Sequence, residues 1–244
     1  MRFNDFTEKN YRRLIRLAKT KWQFIDITRY KQDVTVCFWR HDVDLSLKRA
    51  YRISSIEAQE NVFSTYFLNL HSRFYNLLES DSLKLVFKII DLGHQIGLHF
   101  DMNYFTHLNR KNGSLDSNIK KEKKFLKNIL DIKLTGVSFH NPDDSILTSK
   151  ADVVCGMVNT YGPYFRKHYA YCSDSNGYWR HRHLEDVLLN NKSKNIHILT
   201  HPGWWMPTAR SPKKRVKRCI NGRAKDVYQQ YLKNLRLSKR KNIG

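Results

Sequence analysis

The sequence predicts an α/β fold built from parallel strand–helix–strand units, arranged either as a barrel or as a doubly wound sheet. Short apolar runs rich in β-forming residues alternate with segments of helical periodicity along most of the chain. Several of these runs end directly in acids or histidines, at the strand ends where α/β folds build their sites. The 244 residues, 41% of them hydrophobic, suffice for a substantial core.

The elements follow one another at regular spacing. An amphipathic helix is predicted within the first thirty residues, because Tyr11, Leu14, Ile15 and Ala18 recur at helical spacing. Strands are then predicted at 34–39, 62–68, 95–100, 136–139, 168–172 and 195–200. Helices are predicted at 46–60, 77–92, 118–130 and 184–189, with Ser46 as an N-cap and Gly93 as a terminator.

The chain divides into one main domain, residues 1–206, and a basic tail, residues 207–244. No internal repeat or low-complexity linker interrupts the main domain. From Arg210 to Lys241 the chain carries many lysines and arginines and a single acid, Asp226. Helical periodicity resumes beyond Gly222, so the tail is predicted to be helical.

The charge balance is 44 − 22 = +22 at neutral pH, which favours anionic partners. For the tail this leaves three interpretations: a solvated and partly disordered segment, attachment to an anionic membrane surface, or nucleic-acid binding. The last is disfavoured because no nucleic-acid-binding motif is recognisable.

The predicted location is the cytoplasm, with the tail reaching the inner membrane surface. The N-terminal segment lacks the apolar stretch of a secretory signal, and no run approaches the roughly 18 apolar residues of a membrane span. The four cysteines are scattered and are predicted to stay reduced.

The densest polar cluster is Arg40-His41-Asp42-Val43-Asp44, directly after the first predicted strand. In extended chain, alternate side chains share a face, so Arg40, Asp42 and Asp44 should project together. One carboxylate could then hold a metal ion while its neighbour accepts a proton. The alternative is a capping acid with an ordinary salt bridge.

Three other predicted strands end in histidine: His99, His140 and His201. Asp101 should share the face of His99, since the two are separated by one residue. Histidines and acids converging from different strand ends suit a divalent cation, zinc foremost, with iron, cobalt, nickel and manganese also compatible.

The motifs at 40–46 and 93–101 resemble those of the polysaccharide deacetylases (carbohydrate esterase family 4, the NodB-homology superfamily). The segments 138–142, 173–180 and 199–205 are similar to an intracellular branch linked to surface-polysaccharide synthesis. The resemblance covers about residues 33–206. It implies a distorted (β/α) barrel that holds one divalent metal and hydrolyses an N-acetyl or other N-acyl group on a sugar.

By position in these motifs, Asp42 matches the general base, and His201 matches the general acid. Asp44 and His99 match metal ligands. The second histidine of the family pattern is replaced by Asn103, so the third ligand is His140, Asp101 or Asn103, with His140 favoured.

The arginine that orients the base in the family is also missing. Arg40 could replace it, and Asp174 could pair with His201 or with that arginine.

The aromatic residues Trp179, Trp204 and Trp205 could stack on a sugar ring or simply fill the barrel mouth. The expected substrate is a nucleotide- or lipid-linked sugar. Two other functions stay open: a non-catalytic carbohydrate-binding relative and a basic nucleic-acid-binding protein. The enzyme hypothesis requires Asp44 and His99 to lie within about 8 Å of each other.

Overall fold

The computed structural model describes residues 3–32, 34–107 and 113–243. Within them, nine strands form one sheet. The strands are β1 (Gln23–Phe24), β2 (Val36–Val43), β3 (Thr65–Leu68), β4 (Gln95–Asp101), β5 (Gly136–His140), β6 (Val153–Val154), β7 (Met157–Asn159), β8 (Tyr169–Ser173) and β9 (Asn195–Thr200).

The α-helices of the same residues surround this sheet. They are α1 (Glu8–Lys19), α2 (Leu47–Gln59), α3 (Ser80–Asp91), α4 (Met102–His107), α5 (Leu115–Leu130), α6 (Asp144–Leu147), α7 (Pro163–His168), α8 (Leu184–Asn190) and α9 (Pro212–Leu237). None of these helices is at once long and apolar enough to cross a bilayer.

The sheet is curled and remains open at its edges. Its strand order is β6-β7-β5-β4-β3-β2-β9-β8, and β1 pairs with the start of β2. All pairings are parallel except that of β6 with β7. The outer strands β6 and β8 do not pair with each other in the described residues, so the sheet forms a half-barrel. The predicted α/β class and distorted barrel are confirmed, together with the basic helical tail.

The six strands predicted from the sequence correspond to β2, β3, β4, β5, β8 and β9. Ser46 caps α2 by accepting a hydrogen bond from the backbone of Arg49, and Gly93 follows α3 with a φ of +88°. The first strand runs further than predicted, to Val43, so Arg40 and Asp42 lie on it. The strands β1, β6 and β7 were missed because two or three residues carry no periodic pattern.

The ring of Phe67 is fully buried on the concave face of the sheet, the face that also carries Asp42. This residue pairs in register with Gly97, and a side chain at Gly97 would come within 2.5 Å of the ring. Gly136 on the next strand leaves space in the same way. The ring of Phe67 can therefore lie against β4 and β5, because glycine at positions 97 and 136 leaves the space that a side chain would fill.

The convex face is organised by a buried carboxylate, Glu57 of α2, which is fully shielded from solvent. Its oxygens accept hydrogen bonds at 2.6–2.8 Å from Tyr11, His41, Ser64 and Tyr66. Burial alone raises the pKa of Glu57, but the neighbouring His41 and these hydrogen bonds lower it to about 2. The carboxylate thus ties α1, α2, β2 and β3 together.

We expect Glu57→Gln to lower the free energy of unfolding by about 3–5 kcal/mol, because an amide nitrogen would face donors that lose their acceptor. The control Glu185→Gln removes an acid that pairs at the surface with the half-exposed Arg13. It should cost less than about 1 kcal/mol. Urea unfolding at neutral pH measures both variants.

Folding lowers the pKa of Glu57 from its ordinary value of 4.5 to about 2. The ionised carboxylate therefore stabilises the folded protein at any pH above 4.5, and this stabilisation is lost as the pH falls toward 2. The difference between wild type and Glu57→Gln should shrink over that range. Equal destabilisation by Glu57→Gln and Glu185→Gln would contradict the central role of Glu57.

Candidate active site

The side chains of the predicted site meet on the concave face, at the carboxyl ends of β2, β4 and β9. Arg40 and Asp42 lie on β2, and Asp44 follows its end. His99 lies on β4, and His201 directly follows β9. Parallel strands bring their carboxyl ends to one edge, so these distant parts of the sequence become neighbours.

Asp44 lies between two imidazoles. Its Oδ1 is 3.1 Å from His99 Nε2, and its Oδ2 is 3.7 Å from His201 Nε2. Burial alone raises the pKa of Asp44, but His99, His201 and His140 lower it to about 2. Asp44 is therefore a carboxylate at neutral pH, and its distance to His99 is far below the 8 Å limit.

Ser138, on β5, connects the predicted base with the predicted metal ligand. It pairs in register with His99 and is fully buried. Its hydroxyl donates to Asp42 Oδ2 at 2.9 Å, and its oxygen lies 3.1 Å from His99 Nδ1. Since that hydroxyl hydrogen is already used on Asp42, Nδ1 must carry the proton in the second bond.

This hydrogen-bond chain fixes the tautomer of His99. With a hydrogen on Nδ1, the ring presents Nε2 to Asp44 Oδ1, and whenever Nε2 carries no proton its lone pair is directed at that oxygen. Two acceptors 3.1 Å apart repel each other unless a cation, either a proton or a metal ion, lies between them. Two ligands of one tetrahedral zinc ion are about 3.3 Å apart, so the spacing suits a shared ion.

Asp42 is held on one side and free on the other. Besides the bond from Ser138, its Oδ2 is 3.6 Å from the buried guanidinium of Arg40. Arg40 is itself held by Thr160 and Tyr161. Asp42 Oδ1 is buried and accepts no hydrogen bond from the described residues. It is therefore the oxygen of Asp42 that can take a proton.

His201 is oriented by the buried Asp174, which follows β8. Asp174 Oδ1 lies 2.6 Å from His201 Nδ1, and both carboxylate oxygens accept from the His201 backbone N–H at 3.0–3.1 Å. Burial alone lowers the pKa of His201, but Asp174 and the carboxylates of Asp44 and Asp42 raise it to about 9. The imidazole is therefore protonated at neutral pH.

Two of the residues predicted to hold a metal ion, Asp44 and His99, face each other in the structure. In the described part of the chain, no group of three or more histidines, cysteines, aspartates or glutamates is arranged to hold an ion. Asp44 and His99 nevertheless fit a cation, through their facing lone pairs. The third protein ligand is not in position in this conformation.

The three candidates for that third ligand differ in their surroundings. His140 Nδ1 lies 3.3 Å from Asp101 Oδ2, and the two rings of His140 and His99 are 5.4 Å apart. Asp101 is occupied, because its Oδ1 also accepts from the backbone of Asn103. Asn103 is exposed at the start of α4. The contact with Asp101 raises the pKa of His140.

The tryptophans occupy three different environments. Trp205 is fully buried against Phe6 and Tyr11, and its indole N–H donates to Asp174 at 2.9 Å. The stacking role predicted for Trp205 is therefore wrong, since neither ring face can reach a sugar. Trp179 stacks on Phe6 at 5.3 Å and is also contacted by the rings of His183 and Trp205.

Trp204 is half-buried, and its role as a platform for a sugar ring stays a prediction. Its ring packs over Gly177, where a side chain would come within 2.9 Å of it.

Ser138 is a functional candidate that sequence reasoning did not single out, although it stands in the quoted motif at 138–142. A serine two residues before the strand-end histidine shares the face of that histidine, which is the one available signal.

We expect Asp174→Asn to lower the pKa of His201 from about 9 toward its ordinary value of 6.5, because the charge that stabilises the imidazolium is removed. NMR titration of the histidine rings in chelator-treated protein measures this shift. Asp5→Asn is the matched control, since Asp5 pairs with His183 at 3.0 Å. An unchanged titration of His201 in Asp174→Asn would contradict the assignment.

No protein-family model matches the sequence, and no curated protein is similar to it. Among solved structures, the chain is similar to a CE4 family pseudoenzyme from Bacillus anthracis, with 16% identity and a TM-score of 0.40. It is also similar to a mutant CE4 family pseudoenzyme with restored enzymatic activity, again with 16% identity and a TM-score of 0.40. The matches cover 80% of this chain but only 62% and 64% of those chains, less than two thirds of their length.

Proposed function

We propose that the protein is a metal-dependent hydrolase that removes an N-acetyl or other N-acyl group from a sugar. The observation that carries the proposal is the meeting of two acceptors, Asp44 Oδ1 and His99 Nε2, beside a free carboxylate oxygen of Asp42 and a protonated His201. A cation site, a base and an acid around one space are what amide hydrolysis requires.

Asp44 and His99 would hold the ion, with His140 as the third protein ligand. A ligand set of two imidazole nitrogens and one carboxylate suits zinc foremost. When bound, such an ion polarises an acyl carbonyl and makes water more acidic.

Asp42 and His201 divide the proton transfers. Asp42 Oδ1 takes the proton of the attacking water, while Ser138 and Arg40 hold the other oxygen in place. The acyl carbon–nitrogen bond then breaks, and His201 Nε2 gives its proton to the leaving amine. Asp174 acts as a positioning residue, because it holds the imidazole ring through Nδ1 and the backbone N–H.

The substrate we propose is a nucleotide- or lipid-linked sugar in bacterial surface-polysaccharide synthesis. The net charge of +22 supports a phosphate-bearing substrate, and the half-buried Trp204 supports stacking on a pyranose ring. All four cysteines are free, which supports a reducing, cytoplasmic location.

A second function, carbohydrate binding without hydrolysis, is favoured by one observation. The described residues do not bring a third ligand to the Asp44–His99 pair. If His140 stays with Asp101, the concave face keeps its polar groups but lacks a complete metal site.

The test combines metal content with release of acetate from a panel of N-acetylhexosamine nucleotides and lipid-linked N-acetylhexosamines. We expect wild type to bind one zinc ion and Asp44→Asn to lose it. Asp42→Asn should keep the metal but release acetate about 10²–10⁴-fold more slowly. Asp91→Asn, an exposed acid at the end of α3, is the control.

Two results would decide against this assignment. Wild-type activity in Asp42→Asn would remove the proposed base. Stoichiometric metal and sugar binding without acyl release from any member of the panel would leave the carbohydrate-binding function.

Ser138→Ala tests the tautomer argument separately. Without the hydroxyl, His99 Nδ1–H loses its acceptor, and we expect zinc affinity to fall by about 10–100-fold. Ser138→Thr keeps the hydroxyl and should bind like wild type, as should Ser173→Ala on β8. Competition with a fluorescent zinc chelator measures all three variants, and equal affinities would contradict the role of Ser138.

A further inference from the structure

The helix α9 is anchored to the main domain at its beginning. Arg215 is fully buried, donates to the carbonyl of Gly177 at 2.9 Å and lies 4.4 Å from the ring centre of Phe6. Two turns later, Arg223 pairs with Glu79. The first half of α9 therefore has a fixed position against the main domain.

The second half of α9 exposes apolar side chains. Val227 is 50% exposed, Tyr231 is 50% exposed, and Ile220 in the preceding turns is also 50% exposed. These three are seven and four residues apart, so they form a stripe along one side of the helix. Tyr228 and Leu237 are exposed as well. A solvated basic helix has no need of such a stripe.

Exposed cations cover much of the remaining surface of α9. They are Lys213, Lys214, Lys217, Arg218, Lys225, Lys233 and Arg236. At about 100° per residue, Lys213 and Lys217 lie beside the apolar stripe, and the others lie on the remaining sides of the helix. The single acid of the helix, Asp226, is paired with Lys48 at 2.6 Å. The helix as a whole is therefore strongly positive.

The helix packs beside α2 and α3. Together with them it lines a groove of about 1520 Å³ whose walls include Leu45 and Ser46 of the main domain. The half of α9 that carries the apolar stripe therefore lies along the main domain and is not a detached tail.

We propose that α9 is an interfacial helix that holds the protein on an anionic bilayer. Ile220, Val227 and Tyr231 enter the boundary between headgroups and acyl chains, and the lysines and arginines of the helix attract the anionic headgroups. This inference goes beyond the proposed hydrolysis and stands without it.

Charge and chemistry distinguish this occupant from two others. A second copy of the chain would bring another net charge of +22 and the same basic helix, so the two copies would repel each other. A nucleic acid would satisfy the cations but would leave the aliphatic Ile220 and Val227 in water. A bilayer with anionic lipids satisfies both parts of the surface.

The test is co-sedimentation of the full chain with vesicles of phosphatidylcholine alone and of phosphatidylcholine with one-third phosphatidylglycerol. We expect binding to the anionic vesicles only, weakening as salt is raised. Val227→Ser with Tyr231→Ser, which leaves the charge unchanged, should lower the partition coefficient about tenfold or more. Circular dichroism shows whether the variant keeps its helices.

A charge variant tests the second half of the surface. Lys217→Gln, Lys225→Gln and Lys233→Gln together should weaken vesicle binding about tenfold or more. The matched control removes the same charge from the exposed lysines of α5: Lys120→Gln, Lys121→Gln and Lys124→Gln. This control should bind nearly as wild type does.

Three results would overturn the proposal. One is equal loss of vesicle binding in the α5 control, which would make the interaction a matter of overall charge. Another is binding to a random DNA duplex that depends on the α9 lysines but not on Val227 and Tyr231, with no binding to vesicles. The third is a dimer in analytical ultracentrifugation that Val227→Ser with Tyr231→Ser dissociates.

Discussion

The buried carboxylate of Glu57 is the interaction on which the rest of this structure depends. It accepts from His41, a residue of β2 whose neighbours Arg40 and Asp42 point to the opposite face of the sheet. A slip of one residue in β2 would exchange these faces. Glu57 holds His41 on the convex side of the sheet. Because adjacent residues of a strand face opposite sides, this also holds the predicted base, Asp42, on the concave side.

The concave face shows how charges can be kept in a largely buried site. The carboxylates of Asp42, Asp44 and Asp174 each have a cation or a donor as a neighbour. Ser138 joins Asp42 to His99, so the base and the metal ligand are positioned by one hydroxyl. His99 Nε2 and Asp44 Oδ1 repel each other as acceptors 3.1 Å apart unless a proton or a metal ion lies between them.

The tail adds a fixed positive surface to the main domain. Because α9 is docked through Arg215 and Arg223, its charge is held against the main domain. A phosphate-bearing sugar would be attracted to that surface whether it came on a nucleotide or on a lipid. Membrane contact through α9 would favour the lipid-borne form of the proposed substrate, since it brings the protein to the same surface.

The sequence by itself determined the α/β class, six of the strands and the set of side chains at their ends, because these depend on local periodicity and on the alternation of faces in a strand. It could not reveal Glu57 or the short strands, since a lone acid on a helix and a run of two residues have no distinctive pattern. The burial of Trp205, the link from Asp42 through Ser138 to His99, and the contact of His140 with Asp101 became visible only in the folded chain. Most of these contacts join segments far apart in the chain, and the periodicity within one strand carries no information about distances to another.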